Sequence, residues 1–315
     1  MTAAPTDPDD PLAPDAPTSF TIGPDEVGRA DLVLARRFPG AGRRRLSAIF
    51  VSGAVKQGRR TVKKGDRLAA GDVITVTAPM EEATRGPTPD PEAAARLVVL
   101  HEDEDVVIVA KPAGMPSQPL RPEELGTVAN GLAARFPECA TASDDPRDGG
   151  LVHRLDIFTS GAIAAARNRG TWQALRKSFG AGQVDKRYLA LTHGAPAARE
   201  CLAPLAQRGR KVVVDEVDGL DASTAFEVVE RLGDWCLVEC HATTGRMHQV
   251  RAHLALVGAP IAGDELYGGP PLAGVTGFFL HASMLALPTA RGVITVTAPL
   301  PPEREAVLAS LRKAK

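Results

Sequence analysis

The chain has no apolar run reaching the roughly 18 residues that a membrane span requires, so no transmembrane segment is expected. Its N-terminus, MTAAPTDPDDPLAPDAPTSF, has neither a basic start nor an apolar core, which argues against a secretory signal. Cysteine is scarce: four residues in 315 make no disulfide framework, and a reducing, cytoplasmic setting is expected. No G-x-x-x-x-G-K-[ST] phosphate loop and no G-x-S-x-G nucleophile elbow occurs, and no Gly-rich turn suggests a dinucleotide site. No cofactor is therefore expected. A metal is not expected either: His248 and His253 are five apart and do not share a helical face, and Cys236 and Cys240 have no partner pair at zinc spacing.

What is present is ordinary in bulk and uneven in detail. A hydrophobic content of 44% and a charged content of 24% are those of a globular protein. The length suggests two domains, at about 100–200 residues each. The net charge of −1 hides an asymmetry. Residues 1–27 carry six acids and no Lys or Arg, whereas residues 28–74 carry twelve Lys/Arg against three acids, a net +9. A region that basic points to a polyanion partner; the bland alternative is a solvated surface.

Residues 1–20, rich in Pro, Ala and Asp, cannot bury enough apolar surface to offset chain entropy and are expected to be a disordered acidic tail. Residues 21–80 form the expected small basic domain. Within it ADLVLARRF and RRRLSAIFVSG read as helices, the second closed by Gly53, and AVKQGRRTVKKGDRLAAGDVITVTA as short strands with Gly turns. This phrase resembles the small RNA-binding module of a ribosomal small-subunit protein. The resemblance implies RNA contacts by Arg43, Arg44, Arg45, Lys56, Arg59 and Arg60. Gln57 replaces the Asn usual at one turn. Residues 81–95, with three prolines, read as a linker. Residues 96–315 alternate strand-like and helical stretches, predicting an α+β domain on a mixed, mainly antiparallel sheet.

Four patches of this domain could carry chemistry: VAKPAGMPSQP, GLVHRLDIFTSG, DKRYLAL and ATTGRMHQVRAHL. Read alone, Asp156 is either a turn-capping carboxylate bonded to Thr159, Ser160 and backbone amides, or one held by Arg as nucleophile, base or electrostatic stabiliser. Tyr188 shares a strand face with Ala190 and is either an amphipathic packer or a ring that stacks on a base while its hydroxyl handles a proton. Arg246, set before a helix, could swing into a cleft, and Arg251 and His253 could contact phosphate or pair with acids elsewhere.

In this order the patches resemble the RluA-type pseudouridine synthase family, through EDEDVVIVAKPAGM, GTVANGLAARFPE, GLVHRLDIFTSG, KRYLAL, TTGRMHQVRAHLALVGAPIAGDELYG and FFLHASMLAL. The resemblance implies isomerisation of uridine to pseudouridine in RNA without cofactor. It implies Asp156, Tyr188 and Arg246 as catalytic residues, with Arg246 the ion-pair partner of Asp156. It further implies His153, Arg154, Thr159, His248, Arg251 and Lys111 as substrate-binding residues. Whether Asp156 attacks the base or the sugar, or assists loss of a sugar proton, stays open. Ribosomal RNA is the favoured partner, with tRNA as the other, and the chain is expected to act as a monomer. Met247 and Phe158 depart from the Thr/Ser and polar residues usual at their positions, which leaves an inactive RNA-binding relative as one alternative. A small-molecule glycoside hydrolase is the other, and it needs a second carboxylate beside Asp156.

Overall fold

A computed structural model describes residues 17–38, 41, 43–78, 86–121 and 123–314, without the side chains of residues 43–45. The chain divides into two compact units, Met1–Thr84 and Arg85–Lys315.

In the first unit, strand β1 (Thr18–Thr21) precedes β2 (Gly28–Arg29), helices α1 (Ala30–Arg37) and α2 (Arg43–Val51), and strands β3 (Val55–Gln57), β4 (Arg60–Thr61), β5 (Arg67–Leu68) and β6 (Val73–Val76). The strand order is β1-β6-β3-β4, with β2 paired to β5. Leu46, Ile49 and Phe50 of α2 recur at helical spacing and pack with Val33, Leu34, Val55 and Ile74 in one core. Gln57 donates to Asp72 Oδ1 at 2.7 Å, which ties its turn to the start of β6. One expectation is corrected: residues 18–20 are not part of a disordered tail but pair antiparallel with β6. The residues before 17, and the side chains of Arg43, Arg44 and Arg45, lie outside the described residues. Lys56, Arg59 and Arg60 are exposed around the β3–β4 turn, and Arg60 pairs with Asp66 at 2.8 Å.

The second unit opens inside the expected linker. Asp90 caps the short helix α3 (Pro91–Ala95), accepting from the Glu92 and Ala93 amides, and Ala93 is buried in a core shared with Leu132. The proline-rich composition hid this element because Pro91 occupies the first helical position, where proline is favoured. Strands β7 (Val98–Glu102) and β8 (Val106–Lys111), helix α4 (Val128–Arg135), strand β9 (Ser160–Ala166), helix α5 (Arg169–Gly180) and strand β10 (Asp185–His193) follow. Next come β11 (Glu200–Cys201), the hairpin β12 (Leu205–Arg208) and β13 (Lys211–Val214), β14 (Thr224–Leu232), β15 (Trp235–Ala242) and helix α6 (Gln249–Leu256). Strands β16 (Leu280–Thr289) and β17 (Gly292–Thr297) and helix α7 (Pro302–Lys313) close the chain.

The nine-stranded sheet runs β11-β14-β15-β10-β16-β9-β8-β7, with β17 also on β16. The β16–β9 pair is parallel, and the other pairs of this sheet are antiparallel. Strand β8 is apolar on both faces because both are covered: Val107 and Val109 enter one core, Val106 and Ile108 another. Gly161, at φ +113, sits where β9 meets β16. A Cβ there would run into the Ala282 carbonyl, so glycine permits the close approach at the last residue of GLVHRLDIFTSG.

Candidate active site

GLVHRLDIFTSG is a loop entering β9, and its inward apolar residues, Leu151, Val152 and Leu155, anchor it. Its carbonyls are held one after another. From α5, Trp172 Nε1 donates to Leu151 O at 3.0 Å and Arg176 Nη1 to Val152 O at 3.0 Å. Ser117 Oγ donates to Leu155 O and accepts from the Leu155 amide. The Thr159 amide closes a turn on Asp156 O at 3.0 Å. Lys111 Nζ donates to Ile157 O at 2.9 Å.

That scaffold presents the Asp156 carboxylate to Arg251. Arg251 Nη1 donates to Asp156 Oδ2 at 3.0 Å. Its other face is fixed by Asp264, with Nε to Oδ2 at 2.7 Å and Nη2 to Oδ1 at 2.8 Å. Arg251 is 6% exposed and Asp264 1%. The guanidinium lies between two rings, 4.1 Å from the Phe278 centroid and 5.0 Å from that of Tyr267. Burial opposes the Arg251 charge, but the hydrogen bonds and charges of Asp264 and Asp156 outweigh it and hold its pKa up.

His248 stands in the left-handed region, φ 52, at the turn into α6. Its Nε2 is 3.9 Å from Asp156 Oδ1, and its Nδ1 is 3.1 Å from Tyr267 Oη. Tyr267 Oη also accepts from the Val212 amide, which fixes the phenol against the His248 ring. Burial pushes the His248 pKa down, against the pull of Asp156.

Beside this cluster opens a cleft of about 560 Å³, lined among others by Arg154, Tyr188, Lys186, Arg176 and Arg246. Burial, then the nearby Asp156 charge, pushes the Tyr188 pKa upward, so the phenol stays protonated at neutral pH. Arg154 and Arg246 are exposed on the cleft wall. Lys186, which shares a face of β10 with Tyr188, is 5% exposed and donates to Thr244 O at 2.8 Å. Burial, with the charge of Arg246 beside it, draws its pKa down to about 8.

The structure corrects four expectations. Arg246 is not the partner of Asp156. Its Nε donates to Asp221 O at 2.9 Å, and its amide donates to Gln249 Oε1, which holds the turn ahead of α6. Arg251, inside the first turn of α6, carries the ion pair instead. Lys111 is not placed for substrate: it is 1% exposed and spends Nζ on Pro112 O, Met115 O and Ile157 O. Thr159 is buried in the turn behind the carboxylate and, like Ser160, does not bond it; Ser160 Oγ is 2.8 Å from His281 Nδ1. His153 lines the cleft, but its Nε2 accepts from the Ala164 amide at 3.0 Å and its ring stacks on Phe179 at 4.8 Å. Burial drives the His153 pKa to about 3, so it is a neutral support of the loop and not a cation for phosphate.

Three contributors escaped the sequence. Asp264 lay in plain view in GDELYG, but nothing local tied it to Arg251. Lys186 was legible as the residue sharing a strand face with Tyr188. Gln249 is buried and bonds Thr244 Oγ1, Ser223 O and Thr224 Oγ1. Both departures from the family pattern have structural places. Met247 packs against the Leu205, Val212 and Tyr267 cluster, under the β12–β13 hairpin, and Phe158 packs edge-on to Phe278 at 5.9 Å. Among the described residues no group of three His, Cys, Asp or Glu is placed to hold a metal ion, and no helix is long and apolar enough to cross a membrane.

A family model described as RNA pseudouridylate synthase matches residues 105–256, which include Asp156, Tyr188 and Arg251. The ribosomal large subunit pseudouridine synthase D of Xanthomonas campestris pv. campestris is 34% identical over 304 residues, 90% of this chain and 89% of its own length. An uncharacterized RNA pseudouridine synthase of Bacillus subtilis, YlyB, is 34% identical over 265 residues, 80% of this chain and 84% of its own. Among solved structures, human RNA Pseudouridylate Synthase Domain Containing 4 superposes with a TM-score of 0.56 at 24% identity, over 70% of this chain and 95% of that one. That likeness is one of fold.

Proposed function

The chain belongs to the RNA pseudouridylate synthase family, and we propose that it converts specific uridines of large-subunit ribosomal RNA to pseudouridine with Asp156 as the catalytic carboxylate. The observation that carries this reading is the Asp156–Arg251–Asp264 array beside a cation-lined cleft. The ribosomal target rests on the relatives named for large-subunit synthases and on the basic first unit. The protein would work as a single chain in the cytoplasm.

A uracil stacked in a helix cannot turn over. It has to be flipped out, at a cost of a few kcal/mol in lost stacking. Arg154, exposed at the loop tip, is suited to fill the place the base leaves. Tyr188 packs against the flipped base as a neutral phenol, and its raised pKa makes it a poor proton carrier at neutral pH. Asp156 then breaks the glycosidic bond, by attack or by assisting loss of a sugar proton, and is held in aim by Arg251. The glycoside-hydrolase reading has no support here: Asp264, the other carboxylate on Arg251, is 1% exposed with both oxygens engaged.

The test is carbodiimide mapping of unmodified ribosomal RNA and tRNA transcripts after incubation with the wild type or Asp156→Ala. A new reverse-transcription stop at a ribosomal uridine, absent with Asp156→Ala although that variant still binds the RNA, is expected. A stop that persists with Asp156→Ala would overturn the role of Asp156, and a stop confined to tRNA would overturn the ribosomal target.

A further inference from the structure

Asp156 and Arg251 come from different parts of the chain, and their contact depends on how two aromatic residues are placed. Phe158 follows Asp156 by two residues and ends the held loop. Phe278 lies 4.1 Å under the Arg251 guanidinium. One buried side chain joins the backbones of both. Arg304, in the first turn of α7, donates through Nη2 to Phe158 O at 2.7 Å and to Phe278 O at 3.1 Å. It is 5% exposed and has no carboxylate partner among the described residues, and its Nη1 is buried without a hydrogen bond. Its guanidinium lies 4.9 Å from the Phe279 ring, and Val307 and Leu308 seat the same helix in the core.

A buried arginine with no carboxylate in ion-pair contact, and only the charge of Glu303 at longer range, is an expensive residue if packing is its only task, since an apolar side chain would fill the space without the desolvation cost. What a guanidinium supplies here, and an apolar side chain cannot, is two carbonyl contacts from one nitrogen. Those two carbonyls belong to the segment carrying Asp156 and to the residue under Arg251. We propose that Arg304 is a positioning residue for the reaction: it clamps Phe158 to Phe278 and so sets the approach of Asp156 to Arg251. The inference rests on the synthase reading above. Misplacing a reacting group by about 1 Å can cost on the order of a hundredfold in rate, so the clamp needs to move the pair only slightly to matter.

The experiment compares wild type, Arg304→Met and Arg304→Lys in single-turnover assays at saturating RNA, with RNA affinity and melting temperature measured alongside. Arg304→Met keeps bulk and loses the donors; Arg304→Lys keeps a cation that can reach a carbonyl. Arg304→Met should turn over about tenfold or more slowly with RNA affinity within about twofold of wild type. Arg304→Lys should recover most of that loss. Arg304 borders a cavity of about 300 Å³ lined by Ala113, Gly114 and Phe158, so millimolar guanidinium, far below denaturing levels, should restore part of the rate to Arg304→Ala. If Arg304→Met does not fold, Arg304→Ala, which also removes the donors and is itself tested with guanidinium, takes its place. Wild-type rate in Arg304→Met overturns the proposal. So does a loss of rate matched by an equal loss of RNA affinity, or one not recovered by Arg304→Lys or guanidinium. Absence of turnover in the wild type would instead overturn the synthase reading and is scored separately.

Discussion

Lys186 shows how far a single side chain can be read from its surroundings. It lines the cleft beside Tyr188, almost wholly buried, with Arg246 as a cationic neighbour. Both burial and that neighbour disfavour its charge, which is why its pKa falls to about 8 rather than staying at 10.5. Below that value the amine is charged and attracts phosphate; above it the amine is neutral and does not. RNA affinity should therefore weaken between about pH 7 and about pH 8.5, and Lys186→Gln should bind less tightly at pH 7 and lose that part of the pH dependence. Filter binding across the range checks this, and equal slopes in the two proteins would remove Lys186 from the RNA contact. Arg251 is the contrasting case. It is buried too, but two carboxylates hold it charged, so its task does not vary across the same range.

The loop that carries Asp156 depends on elements that are not its neighbours in sequence. Helix α5 holds its first carbonyls, Ser117 and Lys111 its middle, and α7 its end. Against the last of these contacts lies Gly277, at φ +69, whose Cα faces the Phe158 ring so closely that any Cβ would overlap it. Gly277→Ala should displace Phe158 and slow single-turnover isomerisation, with a destabilisation of about 1–3 kcal/mol from overpacking and backbone strain. Combining it with Phe158→Ala should cost less than the sum of the two changes, because the clash is then gone and only the φ strain remains. Strict additivity in thermal unfolding and rate would mean that the two sites do not press on one another.

In the whole molecule, the first unit carries the basic residues at 28–74 and the second carries Asp156 and Arg251. We infer that Lys56, Arg59, Arg60 and the arginines at 43–45 anchor RNA by phosphate contact. Each neutralised phosphate releases counterions, so affinity should fall steeply with salt. Removing residues 1–80 should weaken RNA binding and flatten the log–log salt slope by about 3 or more, while isomerisation at saturating RNA survives. An unchanged slope would mean that the basic unit is not an anchor.

Periodicity and turn chemistry act over a few residues, so they made α1, α2, α4, α5 and α6, strands β7 to β10, β14 and β15, and the special character of GLVHRLDIFTSG legible in the chain. Other elements were not legible for equally local reasons. A proline at the first helical position disguised α3 as linker, and the short strands β11 to β13 carry too few residues to show an alternation. Which groups meet was a different matter. Asp156 finds Arg251 95 residues on, and Phe158 finds Arg304 146 residues on. Neither pairing leaves a trace in local pattern. Arg246 and Arg251 share one sequence phrase, and only the placement of α6 against β14 and β15 decides which of them reaches the carboxylate. The same folding put Lys111 beneath the loop instead of in the cleft, because its strand is covered on both faces and its amine had carbonyls to satisfy there.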